Sequence, residues 1–367
     1  LDQFQLDAGN ASFRGAVTLD TEGGFESAKF SSFRLSTADE LKLDVQKDGN
    51  LFKLSGSAAS IDARPYITDL LAHSRAKAAN GQDFDLELKA NNIIGFNKER
   101  VEGVDVKLKR RGGVLQKVQL NSRLSGGALK IVSKDSETIG GYVITAENAG
   151  ALLAFLDVYR RMEGGSMTLN IHPQPERLTG GVMIRDFYLN DEPALRSLVS
   201  SNDANAQISP THVNFKRLQG AFVRTDGRID ITDAAMSGQQ VGATLGGMID
   251  YGKDRVDLAG NLIPAYEINN FFAKIPIVGP ILGGGKNEGL FAINFRIVGK
   301  ASAPTLRVDP LSAVAPGIFR KILGVADGTA NNPDNFIVDV PESAPAENPQ
   351  SAVPQDTAPL QLGKPKK

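Results

Sequence analysis

Apolar and polar residues alternate with a period of two in short stretches along most of this chain. Clear examples are Leu41, Leu43 and Val45; Phe84, Leu86 and Leu88; Val104, Val106 and Leu108; and Met167, Leu169 and Ile171. A period of two places successive side chains on opposite faces of a strand. Because the intervening residues are mostly polar, one face of each strand should meet water, which is typical of antiparallel sheets. The pattern therefore predicts many half-buried antiparallel strands.

Glycine marks the predicted turns between these strands. Asp48-Gly49 and Asp226-Gly227 are typical of two-residue hairpin turns. Gly-Gly pairs predict further turns and begin at Gly23, Gly112, Gly126, Gly140, Gly164, Gly180 and Gly246. About 18 short strands, spaced ~4.8 Å apart, would form a sheet about 85 Å long and ~20 Å across. A sheet of that size should curl. The predicted fold is mainly β: a long antiparallel sheet, curled into a groove, with a few short amphipathic helices.

Helical patterns interrupt the strands at a few places, and the composition changes near the end of the chain. Apolar stripes predict helices at Pro65–Ala79, Glu147–Met162, Pro193–Ser200 and Ile268–Lys274. After residue 323 prolines recur among polar residues, which predicts disorder. We therefore expect three regions. Residues 1–80 form the N-terminal part of the β-meander with one helix, 81–323 form a β-groove, and 324–367 form a Pro-rich disordered tail.

Composition and motifs argue against several classes of function. The 41 basic and 42 acidic residues give a net charge of -1, which does not favour binding to nucleic acid. The chain has no cysteine, and His73, His172 and His212 lie far apart in the sequence, so neither a metal site nor a cofactor is predicted. The Gly283-Gly284-Gly285-Lys286 run lacks two residues that a phosphate-binding loop needs. We find no catalytic motif and expect that the protein is not an enzyme.

Two apolar segments near the end of the chain are candidates for contact with a membrane. The first runs from Phe271 to Leu282 and is interrupted by Pro276 and Pro280, so it is too short and broken to span a bilayer. The second runs from Gly317 to Leu323 and has a helical apolar stripe. Either segment could contact lipid or cap the end of the sheet, and both alternatives stay open. The residues concerned are Phe271, Phe272, Ile275, Ile277, Ile318, Phe319 and Ile322.

The order of segments between Phe271 and Leu323 resembles the closing region of AsmA-like envelope proteins of the YhdP and TamB type. An apolar segment ends at three glycines, an alternating strand follows over Leu290–Val298, and Asp-Pro-Leu-Ser precedes Ala-Pro-Gly-Ile-Phe-Arg. Glu147–Ile171 is also similar to the family's unit of a leucine-rich helix, Gly-Gly and a strand. The resemblance covers about Gly81–Leu323, and it lacks the amino-terminal membrane helix of the family.

The resemblance implies a protein that carries phospholipids through the periplasm of a Gram-negative bacterium, from the inner membrane toward the outer membrane. This transport would contribute to the integrity of the outer membrane. It would be anchored at the inner membrane through a segment absent from this chain. Its partners would be phospholipids, both membrane surfaces and an outer-membrane or periplasmic protein. On this hypothesis the groove is lined by Phe84, Leu86, Leu88, Val104, Val106, Leu108, Phe291, Ile293, Phe295 and Ile297.

Two other hypotheses remain open. A sheet that closes on itself would act as a scaffold or assembly factor, which binds another envelope protein by adding a strand at its edge. An enzyme acting on envelope polysaccharide would need a cleft with two close carboxylates.

Overall fold

Eighteen strands and two helices form the part of the chain that the computed structural model describes. That part comprises residues 3–72, 82–134, 141–174, 176–191, 211–238, 241–264 and 291–313. The first nine strands are β1 Phe4–Ala8, β2 Ala11–Leu19, β3 Phe25–Arg34, β4 Glu40–Asp48, β5 Leu51–Asp62, β6 Asp83–Ile94, β7 Arg100–Arg111, β8 Val114–Leu124 and β9 Gly127–Ser133. The other nine are β10 Tyr142–Ala146, β11 Met162–Pro173, β12 Leu178–Asn190, β13 His212–Thr225, β14 Arg228–Ser237, β15 Val241–Asp250, β16 Arg255–Pro264, β17 Phe291–Lys300 and β18 Ala303–Ala313.

All eighteen strands belong to one sheet in which each strand pairs with the next along the chain. Every pair is antiparallel except β5 with β6, which run parallel. The chain must therefore return along the sheet between these two strands, and the return begins with helix α1, Arg64–Ala72. The predicted mainly β fold, with a long antiparallel, curled sheet and few helices, is confirmed. The expected boundary between residues 80 and 81 falls between β5 and β6. These two strands pair with each other, so the sheet continues across the expected boundary.

The strands are longer than the sequence suggested. Most contain nine to twelve residues, and β13 contains 14, which corresponds to about 46 Å at ~3.3 Å per residue. The predicted width of ~20 Å is therefore wrong. The alternating triplets are only the clearest parts of strands that continue through irregular registers, such as those at Glu102/Asp105 on β7 and Ile231/Ala234 on β14.

Some glycine pairs form turns as predicted, and others lie inside strands. Asp226 and Gly227 form the two-residue loop between β13 and β14. The loop between β4 and β5 is Gly49-Asn50, one residue later than expected. The pairs beginning at Gly164, Gly180 and Gly246 lie within β11, β12 and β15, so their prediction as turns is wrong. At Gly180 the reason is packing, because a Cβ there would collide with the Phe222 ring on the neighbouring strand.

Helix α2 is shorter than predicted, and helix α1 is described only in part. Helix α1 spans Arg64–Ala72, and residues 73–79 of its predicted range lie outside the described residues. Helix α2 spans Ala149–Phe155 because the chain already enters β11 at Met162. Asn148 caps α2 by accepting a hydrogen bond from the Ala151 N–H at 3.0 Å. The helices predicted at 193–200 and 268–274 lie outside the described residues. Neither described helix is long and apolar enough to cross a membrane.

Helix α1 demonstrates that the sheet curves. It follows β5, yet its last turn contacts strands eight or more positions further along the sheet. The Arg224 guanidinium at the end of β13 donates a hydrogen bond to the Leu70 carbonyl, and the Ala72 carbonyl lies against Gly227 and Gly252 in later turns. In a flat sheet β13 would lie about 38 Å from β5, whereas nine helical residues span only ~13.5 Å. The sheet must therefore bend so that these strands approach each other across α1.

The most deeply buried residues lie at the end of the sheet where α2 and the start of α1 are found. Phe187 on β12 and Phe215 on β13 have no exposed surface, and their rings stack with centroids 5.4 Å apart. The same cluster includes Ile67 of α1 and Leu152 and Phe155 of α2. We call this part of the molecule the closed end. Its other buried members include Val101, Val104, Leu124, Leu129, Ala146, Met167, Ile184, Val213 and Ala243.

Candidate functional site

A continuous row of apolar residues crosses the sheet from β1 to β17, with one residue on each strand. Each member stands directly opposite the next in the strand register, so all of them lie on one face. We call this set the apolar row. Its members are Phe4, Gly15, Phe30, Leu43, Gly56, Leu88, Val106, Leu120, Ile131, Ile144, Leu169, Val182, Gly220, Ala234, Leu245, Gly260 and Phe295. Sixteen strand spacings of ~4.8 Å make the row about 77 Å long.

Most of the apolar row remains partly accessible to solvent. Only Leu43 and Gly220 are buried, and the other members are half-buried. The same face is fully buried at the closed end, where Val104 and Leu124 have 2% of their surface exposed. The face therefore combines a dry core at one end with a long apolar strip that is still reachable from outside.

The structure places the predicted groove residues on this one face. Leu88 faces Val106 and Leu86 faces Leu108 across β6 and β7. Phe295, eleven strands further along, belongs to the same apolar row as Leu88. Since β17 also has a period of two, Ile297 lies on the same face as Phe295. The side chains of Phe291 and Ile293 lie outside the description. Val104 differs from the other predicted residues because it is part of the buried closed end.

The opposite face is polar over β2–β8 and carries several ion pairs. Three ion pairs lie there: Lys53 Nζ with Asp48 Oδ2 at 2.9 Å, Lys107 Nζ with Glu87 Oε1 at 3.3 Å and Arg111 Nη2 with Asp85 Oδ1 at 2.8 Å. The hydrogen bond from Lys53 lowers the pKa of Asp48. On β12–β14, however, this second face is also buried, at Met183, Gln219, Ala221 and Ala235. The expectation of one apolar and one wet face therefore holds for only part of the sheet.

A network of carboxylates positions the start of α1. Asp39 Oδ1 accepts the Asp62 N–H at 2.7 Å, and Asp39 Oδ2 accepts the N–H groups of Leu35 and Ser36. Asp62 in turn accepts two hydrogen bonds from the Arg64 guanidinium, at 2.8 and 2.7 Å. The bonds from Arg64 lower the pKa of Asp62. The helix that crosses the apolar face is thus held at its first residue by a charged pair and near its last by Arg224.

A cavity of about 1050 Å³ lies against β1–β5. Its polar lining side chains alternate along the strands with members of the apolar row, so they project from the opposite face: Arg14, Lys29, Lys42, Asp44, Ser55 and Ser57. All six are exposed. The cavity is also lined by five members of the apolar row, Phe4, Gly15, Phe30, Leu43 and Gly56, so it does not belong to the polar face alone.

The remaining sequence predictions fall on residues without a described position. Both apolar segments proposed for membrane contact or capping lie outside the described part of the chain, with Phe271, Phe272, Ile275, Ile277, Ile318, Phe319 and Ile322. Of the three histidines, only His172 and His212 are described. Within the described ranges, no group of three His, Cys, Asp or Glu residues is placed to hold a metal ion.

The sequence interpretation missed the middle of the apolar row as a site. Leu120, Ile131 and Ile144 were not among the predicted groove residues, although they connect β7 to β11 in the row. Their strands show the same alternation, but polar or glycine residues interrupt it. The period-two alternation in the sequence could have marked these residues as facing one side of their strands. Only the strand register shows that this side is the one that carries Leu88 and Phe295.

Comparison of the chain with models of known protein families, with curated proteins and with solved structures found no match. The resemblance to AsmA-like envelope proteins therefore stays a prediction from the sequence.

Proposed function

We propose that this protein carries phospholipids through the periplasm between the inner and outer membranes, with their acyl chains lying on the apolar face of the sheet. The observation that carries the proposal is the apolar row, which crosses seventeen strands without a polar residue and is half-buried over most of its length. A closed scaffold has no need for an apolar strip that remains accessible. A lipid carrier needs one, because it must shield acyl chains while lipids enter and leave.

The dimensions of the apolar row suit this function. Each methylene that leaves water contributes ~0.8 kcal/mol, so even partial cover of two chains gives a substantial driving force. The hydrocarbon core of a bilayer is about 30 Å thick, which makes one lipid tail ~15 Å long. A row about 77 Å long therefore has room for several lipids in succession. No side chain needs to react, and we propose that the protein is not an enzyme.

Site-specific photocrosslinking tests the proposal. A photoreactive phenylalanine analogue at Leu88 should crosslink to phospholipid when the purified protein is incubated with phospholipid vesicles. The same analogue at Lys89, the next residue on β6, projects from the opposite face and is the matched control. Mass spectrometry of the adducts identifies the crosslinked molecule. Equal lipid crosslinking at both positions, or none at either, would refute a lipid-carrying apolar face.

The alternative function is a scaffold that binds an envelope protein at an edge of its sheet. Strand β1 pairs with β2 on one side, and no second partner for it lies among the described residues. Its Leu6 is 56% exposed. An exposed strand edge of this kind can receive a strand from another protein. A stable protein partner that protects β1 from hydrogen exchange, together with a lipid-free apolar row, would favour this alternative.

A further inference from the structure

The cavity against β1–β5 has an excess of positive charge. Three cationic side chains line it, Arg14, Lys29 and Lys42, together with the carboxylate of Asp44. These four groups give a net charge of +2. All four side chains are exposed and project from the face opposite the apolar row. We call this site the basic cavity.

The three cations of the basic cavity form no ion pair with any residue in the described part of the chain. By contrast, Lys53 on β5 pairs with Asp48 at 2.9 Å on the same face. Lys29 stands directly opposite Asp44 in the register of β3 and β4, but no ion pair joins these two side chains. A cation that is not neutralised by a carboxylate attracts an external anion more strongly. The positive charge of the basic cavity is therefore available to a ligand.

The strand register places the three cations around one point. Arg14 on β2 and Lys42 on β4 are two strands apart, or about 10 Å between their backbones. Lys29 on β3 lies between them, opposite Ala16 and Asp44. These two residues are two positions from Arg14 and Lys42, respectively, so Lys29 is a diagonal neighbour of both cations at about 7–8 Å. Side chains as long as these can converge on one anionic group from such spacings.

An irregular register bends the sheet at the basic cavity. The register of β2 with β3 shifts between Arg14 and Gly15, which leaves Ser31 as an extra residue on β3. A bulge of this kind bends its strand and increases the local twist. Glycine is required at position 15 because a Cβ there would collide with the backbone of β3. We attribute the hollow shape of this part of the sheet to the bulge.

Uncharged hydrogen-bonding groups stand beside the cations. Gln5 is opposite Arg14, and Ser57 is opposite Lys42. Ser55 is exposed and also lines the cavity. Hydroxyl and amide groups both donate and accept hydrogen bonds, so they suit the hydroxyl groups of a ligand. The volume of about 1050 Å³ matches the upper end of ligand pockets, about 300–1,000 Å³, and a phosphate ion alone would fill little of it.

We propose that the basic cavity binds a phosphorylated sugar. Its phosphate groups contact Arg14, Lys29 and Lys42, because guanidinium and ammonium groups form strong charge-assisted hydrogen bonds with phosphate. Its hydroxyl groups contact Ser55 and Ser57. This site does not depend on the proposed lipid-carrying function, since the side chains that form it project from the face opposite the apolar row.

Isothermal titration calorimetry of the full chain tests the proposal with three probes. Fructose bisphosphate carries phosphate groups on a sugar, fructose lacks the charge, and inorganic phosphate lacks the sugar. The variant is Arg14→Gln/Lys42→Gln. The matched control is Lys53→Gln/Lys107→Gln, which removes the same charge from the same face outside the basic cavity. Circular dichroism checks that both variants are folded.

We expect the unmodified protein to bind fructose bisphosphate at least about tenfold more tightly than fructose or inorganic phosphate. The Arg14→Gln/Lys42→Gln variant should weaken this binding by about tenfold, because it removes two charge-assisted contacts, while the control should bind as the unmodified protein does. Equal affinity for fructose bisphosphate and inorganic phosphate overturns the sugar site, because the cavity would then attract anions in general. Equal weakening in both variants overturns it too, since net charge and not the cavity would then determine binding. Failure of fructose bisphosphate to bind overturns the proposal and leaves the lipid-carrying function untouched.

Discussion

The strongest physical test of an accessible apolar face compares the same substitution at two positions of β8. Leu120 belongs to the apolar row and is half-buried, whereas Leu124 has 2% of its surface exposed at the closed end. Both residues lie on the same face because they are separated by four residues of a strand. Leu120→Asp and Leu124→Asp therefore introduce the same charge into one strand and differ in the surroundings that receive it.

The expected losses of stability differ severalfold. At position 120 the substitution removes part of the ~2 kcal/mol gained by burying a leucine and costs up to ~1 kcal/mol in strand preference, so we expect about 2 kcal/mol. At position 124 it leaves a cavity, which costs about 2–5 kcal/mol, and it buries a carboxylate, which costs several kcal/mol more. That sum approaches the whole stability of a typical domain, about 5–15 kcal/mol.

Urea unfolding followed by circular dichroism measures both effects, and Leu120→Ala separates the loss of the side chain from the added charge. We expect Leu120→Asp to be folded with a moderately lower midpoint and Leu124→Asp to be largely unfolded at neutral pH. Lower pH should partly restore Leu124→Asp, because protonation removes the buried charge. If Leu120→Asp is as unstable as Leu124→Asp, the apolar row is a dry core and the lipid-carrying function is wrong.

Three further predictions concern the framework of the fold. Because Arg64 lowers the pKa of Asp62 in the folded state, Asp62→Asn should cost about 1 kcal/mol at pH 7. In urea titrations this difference should begin to shrink as the pH falls below about 3.9, the unfolded-state value, and disappear only below the lowered folded-state pKa. A Cβ at Gly260 would collide with its neighbours, whereas one at Gly246 would come no closer than 3.5 Å; thermal unfolding should therefore show a loss of about 1–3 kcal/mol for Gly260→Ala and little change for Gly246→Ala. Burial raises the pKa of Tyr251. The Tyr251 phenolate signal is obtained by subtracting the absorbance titration of Tyr251→Phe from that of the unmodified protein, and it should titrate above the usual tyrosine pKa of about 10. A signal that titrates at about 10 would contradict the burial of this side chain.

The local alternation of side chains was sufficient to predict which residues share a face. Leu86 and Leu88 were assigned to one face of β6 because the period of two is a property of the strand itself. The same reasoning predicted the antiparallel character of most pairs and the turn at Asp226-Gly227. These features depend on neighbours in the sequence, so the sequence contains the information needed to predict them.

Only the tertiary structure decided how the faces join. The apolar row depends on the register of sixteen successive strand pairs, and a shift of one residue in any pair would move the following strands to the other face. The parallel pairing of β5 with β6 and the contact of α1 with Gly227 join residues far apart in the sequence. Gly180 lies inside a strand because Phe222 on the next strand occupies the space above it.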